Sequence, residues 1–243
     1  MSKVLVVPDV HGRTFWKEPC EKWDGEIIFL GDFFDPYPQE GIENPDENSK
    51  QAINFILDNK DRCSVLLGNH DAPYLFSGFT RSSRYSNNPE YREWLGKIKD
   101  LIKTVIIKND VIFSHAGITD DWAHEFLYYC MKYEDLDCDL ILETAQILQD
   151  TPLSEYDDSY IRSLDMIGSS RGGIDGIGSC IWADITEHFN RKISGFSPKT
   201  YPKFQVFAHT WVKYPIMQEC FACLDVQKCF VVDTQTKEIK EYV

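Results

Sequence analysis

The chain has 243 residues, 43% hydrophobic and 14% aromatic, which excludes an intrinsically disordered protein and leaves room for a full core. With 25 Lys and Arg against 39 Asp and Glu, the net charge of −14 denies it a general grip on polymeric nucleic acid or on an anionic membrane. Its apolar runs are strand-sized, far short of the ~20 residues of a membrane span. The sequence enters a strand directly after Met1-Ser2-Lys3 with no signal-peptide pattern, so its eight scattered cysteines are expected as free thiols in the cytoplasm.

Taken in order, short apolar runs alternate with helical patterns, which predicts an α/β fold. Val4 to Val7 is a strand leading into Asp9-Val10-His11-Gly12. Ile27 to Leu30 leads into Gly31-Asp32-Phe33-Phe34-Asp35. Asn48 to Arg62 carries Ala52, Ile53, Ile56 and Leu57 at helical spacing. Val65 to Leu67 leads into Gly68-Asn69-His70-Asp71. A helix is predicted from Pro89 to Lys103, with Trp94, Leu95, Ile98 and Ile102 on one face. Val111 to Phe113 leads into Ser114-His115-Ala116-Gly117, and Thr119 then caps a helix through Trp122, Phe126 and Leu127. Leu140 to Leu148 is helical. Val206-Phe207 leads into Ala208-His209-Thr210, and the chain finishes in a hairpin turned at Asp233 to Lys237. No linker or repeat interrupts the chain, so residues 1–243 are expected as a single domain. The long interval 118–204 should form a helical cap that sets substrate choice, with a Gly-rich segment at Ser169 to Gly173.

Each of the five apolar runs ends in a polar cluster. In open α/β sheets ligands bind outside the carboxyl ends of strands, so strands lying side by side would bring these clusters to one edge. Asp9, His11, Asp32, Asn69, His115 and His209 offer carboxylate, imidazole and amide donors, a set suited to Mn, Fe or Zn. One carboxylate can bridge two metals, and such a pair clamps a phosphoryl group.

The ordered series Asp-x-His, Gly-Asp-x-x-Asp, Gly-Asn-His-Asp, Ser-His-Ala-Gly and Ala-His-Thr, from residue 9 to residue 210, resembles the calcineurin-like metallophosphoesterase superfamily. The resemblance implies a sandwich of two mixed β-sheets flanked by helices, and two divalent metal ions. By position Asp9 and His11 would hold the first metal, Asp32 would bridge, and Asn69, His115 and His209 would hold the second. A hydroxide shared by the metals would attack phosphorus in line with His70 as general acid, oriented by Asp35.

Two details refine the branch. Many phosphodiesterases of the superfamily carry a second histidine in the last block, where this chain has Trp211. Ser114 to Gly117 and Trp182-Ala183-Asp184 also resemble the phosphoprotein phosphatase and diadenosine-tetraphosphate hydrolase side. Protein phosphatases of that side place a phosphate-gripping arginine after the orienting Asp, but Asp35 is followed by Pro36-Tyr37. Another arginine must substitute. Arg171, beside Gly172 and Gly173, is the first candidate, with Arg191, Arg81 and Arg84 behind it.

The function expected is hydrolysis of a phosphomonoester, on a phosphorylated small molecule, nucleotide or phosphopeptide. The alternative is a phosphodiesterase or dinucleoside polyphosphate hydrolase, with Phe33 and Phe34 stacking a base. An inactive protein-binding scaffold is a third reading. Phe33, Phe34 and Tyr37 could equally wall the cleft. His124 and His188 read as ordinary histidines, Cys220 and Cys223 as thiols on a buried strand and Asp225 as structural. Trp94, Trp122 and Trp182 read as core, and Asp135 to Asp139 as a solvated loop.

Overall fold

The computed structural model describes residues 2–133, 139–189 and 203–243. The strands are β1 (Lys3–Val7), β2 (Glu26–Phe29), β3 (Cys63–Leu66), β4 (Ile102–Lys103), β5 (Val105–Lys108), β6 (Val111–Ser114), β7 (Phe204–Phe207), β8 (Ile216–Met217), β9 (Phe221–Cys223), β10 (Phe230–Asp233) and β11 (Ile239–Glu241). The helices are α1 (Lys17–Lys22), α2 (Pro45–Asp58), α3 (Ala72–Leu75), α4 (Pro89–Ile98), α5 (Asp120–Glu125), α6 (Leu140–Asp150), α7 (Asp158–Leu164) and α8 (Ile185–Phe189).

The strands form two mixed sheets, ordered β11-β10-β1-β2-β3-β4 and β5-β6-β7-β9-β8. In the first, β1 to β4 run parallel, β10 pairs antiparallel with β1 and β11 antiparallel with β10; in the second, β6, β7 and β9 run parallel between antiparallel edges. The five cluster-bearing strands are therefore divided between two sheets rather than lying side by side. The sheets pack face to face over a core of Val4, Val6, Ile28, Leu30 and Leu66 from one and Val111, Phe113, Val206 and Leu224 from the other. Alternate residues of the same strands, Leu5, Val7, Ile27, Phe29 and Val65, point to the opposite face and pack with helical residues including Ile53, Ile56, Leu95 and Ile98. Burial on both faces explains why these strands read as unbroken apolar runs.

The helices follow local signals. Pro45 opens α2 three residues before the expected Asn48, and the helix stops at Asp58. The Asn88 side chain caps α4 by accepting from the Glu90 N–H, and Thr119 caps α5 in the same way through Trp122. The helix expected to continue to Lys103 ends at Ile98. After one 3-10 turn, Ile102 and Lys103 pair with Val65 and Leu66, because the β3 edge offers an unfilled ladder. α5 runs into a π-turn at Phe126–Cys130, and the C-terminal hairpin forms as β10 and β11. No described helix is long and apolar enough to cross a membrane. Within the interval 118–204 the described residues are mainly helical, and the Gly-rich segment from Gly168 to Gly173 turns back toward the strand ends.

Candidate active site

The strand ends of the two sheets face one another, and main-chain groups lock the blocks together. After β1, the N–H groups of Val10 and His11 both donate to the Asp32 carbonyl, at 3.1 and 2.7 Å. After β2, Asp32 adopts a left-handed backbone with φ of 52°, and Gly68 lies against its carboxylate so closely that a Cβ would overlap it. His11, Asp35 and His209 are also left-handed, at φ of 43°, 56° and 63°. Such conformations cost energy in non-glycine residues and collect at functional sites.

Asp71 holds this turn in place. Its carboxylate accepts from the N–H groups of Asp32, Phe33 and Gly68 at 2.7, 3.0 and 3.2 Å. Sequence reading assigned Asp71 no role; its position at the end of the third block was the available signal.

Five of the six expected ligands cluster tightly, and Asp9 borders them. His11 Nδ1 bonds the Phe34 carbonyl at 2.5 Å and His115 Nδ1 bonds the Leu30 carbonyl at 2.7 Å. A carbonyl only accepts, so each Nδ1 carries a proton and Nε2 is the atom left to face a cation. Both Nε2 atoms point at one oxygen: Asp32 Oδ2 lies 3.4 Å from His11 and 3.5 Å from His115. Asp32 Oδ1 is already committed to the His70 N–H at 2.8 Å. His115 Nε2 also faces Asn69 Oδ1 at 3.1 Å and His209 Nδ1 at 3.2 Å. Asp9 lies 3.9 Å from His11 Nε2 and accepts from the His209 N–H at 3.3 Å. The buried His209 Nε2 has no hydrogen-bond partner.

Acceptors that converge with few donors among them fit a cation. Two such groups form, His11-Asp32-His70 and Asp32-His115-His209, and Asp32 belongs to both. Left to protons alone, the cluster must hold a surplus of them. Burial pushes Asp9 up to about 7, with the Asp32 charge adding to it against the pull of His115. Burial would lower His115, but Asp32 and Asp9 overcome it and raise it to about 10. His11 and His209 are driven well below their ordinary value, chiefly by burial.

Beside the cluster, Asp35 Oδ2 accepts from His70 Nδ1 at 2.9 Å, and Asp35 Oδ1 accepts from Tyr74 Oη at 2.7 Å. Tyr74, four residues beyond His70 and inside the short helix α3, was not singled out from sequence. These groups open onto a cavity of about 650 Å³ lined by His11, Asp32, Asn69, His70, His209, Tyr37, Trp182, Arg81, Arg84 and Arg171.

The remaining candidates divide. Arg171 reaches the cavity with its guanidinium tied to Asp184 at 3.0 Å and to Thr210 Oγ1 at 2.5 Å. Arg84 lies deeper, stacked 3.4 Å over the Tyr37 ring centroid and 2.9 Å from His70 Nε2. Arg81 lies over the Tyr85 ring, and Arg191 falls outside the described residues, as does most of the acidic run from Asp135. Phe33 and Phe34 are fully buried; Phe34 stacks on Tyr91 at 4.3 Å, so neither can stack a base, and only Tyr37 of that trio walls the cavity. Trp182 is core as expected and also lines the cavity, its ring 6.0 Å from His209. His188 is buried, bonds the Ala116 carbonyl and stacks on Phe207; His124 is exposed. Asp225 is buried with one oxygen unpartnered, and burial beside Asp9 raises it well above the usual carboxylate range.

No curated protein matches the chain by sequence. Among solved structures, a cold-active protein-tyrosine phosphatase of the psychrophile Shewanella sp. superposes with a TM-score of 0.57 at 16% identity, covering 99% of this chain and 80% of that one. A mutant of a cold-active protein tyrosine phosphatase gives a TM-score of 0.58 at 15% identity, with the same coverage. At such identities these likenesses establish the fold alone. The family model described as calcineurin-like phosphoesterase matches residues 2–213, a span that takes in every one of the ordered motifs. On that match, and with the motifs folded into one buried donor cluster, the chain belongs to the calcineurin-like phosphoesterase family and is a metal-dependent phosphoesterase.

Proposed function

We propose that this protein is a two-metal phosphomonoesterase. The observation that carries the reading is the single Asp32 oxygen shared between two groups of acceptors, beside the Asp35–His70 pair. Asp9, His11 and Asp32 would hold one divalent ion, and Asp32, Asn69, His115 and His209 the other; Mn, Fe and Zn all suit the donors. Bound there, the ions would neutralise phosphoryl charge and acidify water.

The chain's own residues do the rest. The Asp35 carboxylate fixes the His70 ring, so that Nε2 faces the cavity and can deliver a proton to the departing oxygen. Water supplies the hydroxyl that replaces the alcohol on phosphorus. Arg84 and Arg171 stand where they can bind non-bridging phosphate oxygens. Asp71 keeps the Asp32 turn in register. The segment from Asp165 to Asp175, which lines the cavity, is where the cap expected over residues 118–204 would meet the leaving group.

Two observations favour a monoester. Trp211, which stands where many diesterases have a further histidine, is 64% exposed and contributes nothing to the donor cluster. Phe33 and Phe34 are sealed in the core and offer no base-stacking wall. Cys20, Cys63, Cys130, Cys180, Cys223 and Cys229 carry free thiols, which supports a reducing, cytoplasmic setting. The test is a turnover screen of the Mn²⁺-loaded protein with p-nitrophenyl phosphate, bis-p-nitrophenyl phosphate, phosphotyrosine and phosphoserine peptides and diadenosine tetraphosphate. Preference for the monoesters is expected. Preference for the diester or the dinucleotide overturns the monoester reading, and metal binding with no turnover of any of them revives the scaffold.

A further inference from the structure

The nitrogen of His70 that must face a leaving group is covered. Arg84 Nη2 lies 2.9 Å from His70 Nε2, and Arg84 Nη1 donates to the Asp35 carbonyl. A guanidinium only donates, so His70 Nε2 is the acceptor. On the other edge of the ring Asp35 Oδ2 accepts from Nδ1. The imidazole is thus held between a carboxylate and a guanidinium.

Two features show that Arg84 is suited to another partner. Its neighbour across the cavity, Arg171, is neutralised by Asp184, whereas no described carboxylate forms an ion pair with Arg84 in a chain of net charge −14. Its charge faces the cavity unmatched. Its platform is Tyr37, two residues after Asp35. Here the position supplies a ring on which an arginine from elsewhere in the chain rests. Stacking and the Asp35 carbonyl hold the guanidinium plane while leaving one edge free to change partners.

We propose that Arg84 is a mobile phosphate clamp, parked on His70 Nε2 when no substrate is bound and drawn onto the phosphate oxygens when one is, which uncovers His70 Nε2 to take up a proton from solvent and pass it to the leaving oxygen. The proposal rests on the phosphoesterase reading of this same site. A phosphate adds an opposite charge and can take two parallel N–H bonds from the guanidinium fork, whereas the imidazole nitrogen offers one lone pair, so phosphate outcompetes His70 for the same donor.

The test is calorimetric titration of inorganic phosphate into the Mn²⁺-loaded full-length protein, with metal content matched across variants beforehand. Arg84→Ala is expected to weaken phosphate roughly ten- to hundredfold, the loss of a charged hydrogen-bond pair, with Arg84→Lys recovering part of it. His70→Ala is expected to tighten phosphate severalfold, because the clamp loses its parking partner, and that gain should vanish in the double variant. A fixed anchor would not show the tightening. Affinity within twofold of wild type in Arg84→Ala overturns the clamp, and unchanged or weaker binding in His70→Ala overturns the parked state. If the wild type binds phosphate and turns over phosphoesters while Arg84→Ala matches it, the clamp alone fails. If the wild type does neither, the phosphoesterase reading fails with it.

Discussion

The floor of the pocket, where Asp9, His11, Asp32, His115 and His209 converge, is made of strand ends and tight turns. The rim, where Arg84, Arg171 and Tyr37 stand, is made of loops and the 3-10 turn that ends at Arg171. Every floor residue is almost fully buried, and most are held by main-chain groups from another block. The rim side chains are partly exposed and held by separate contacts, Arg84 by Tyr37 and His70 and Arg171 by Asp184 and Thr210. A floor built this way should fail as a unit, because removing one donor leaves several buried acceptors facing each other. A rim built from separate contacts should lose affinity in steps.

Five measurements break or sharpen that contrast, from the largest effect to the smallest. Asp32→Asn removes the oxygen shared by both donor groups; kcat should fall on the order of 10³-fold or more, and bound metal measured by elemental analysis should fall with it. A variant that keeps its metal and most of its rate would show that the floor is not a unit. His70→Asn should lower turnover of an alkyl phosphate by about 10²–10⁴-fold, but much less for p-nitrophenyl phosphate, whose leaving group needs little protonation. Equal losses on both substrates would refute the general-acid role.

Metal affinity should rise with pH. Asp9, raised to about 7, and His115, raised to about 10, both hold protons that a cation must displace. Each displaced proton gives tenfold per pH unit, so affinity should climb roughly a hundredfold per unit below pH 7 and tenfold per unit from there to about pH 10. Calorimetry in buffers of different ionisation enthalpy measures the released protons, and a flat profile would place the cation elsewhere. Asp71→Asn replaces one accepting oxygen with a donor that faces buried N–H groups, at a cost of about 1–3 kcal/mol. For a chain of this length that is a fall in Tm of roughly 2–12 °C, and phosphoesterase activity should drop with it through the misplaced Asp32 turn. At the small end, Trp211→Ala removes an exposed ring outside the donor cluster and should change stability by less than about 0.5 kcal/mol. A strong loss of metal in that variant would give the tryptophan position the role denied to it above.

The pattern of success in reading the sequence follows from how far apart the deciding groups lie. Asp9 and His11, or Asn69 and His70, are neighbours in sequence, and each pair sits in a short motif after an apolar run. Asp71, in contrast, acts on Asp32 and Phe33, almost forty residues earlier. Tyr74 reaches Asp35 over a similar gap. A helix pattern through Ile102 and Lys103 was cut short because those residues found a strand partner at Val65 and Leu66. Phe33 and Phe34 looked available for a ligand because they adjoin Asp32, but the turn that presents Asp32 to the pocket turns both rings into the core.

By itself, the sequence determined the α/β class, the order of the blocks and most of the residues of the candidate donor cluster, since these depend on residue type and on spacing within a few residues. The tertiary structure decided the rest. It divided the strands between two sheets, set Asp32 between two histidines, tied Arg171 to Asp184 and laid Arg84 over Tyr37 against His70. The physical reason is reach. A ligand motif is carried by adjacent residues on one strand end, whereas an arginine's partner is whatever side chain the packing of distant loops brings within hydrogen-bonding distance.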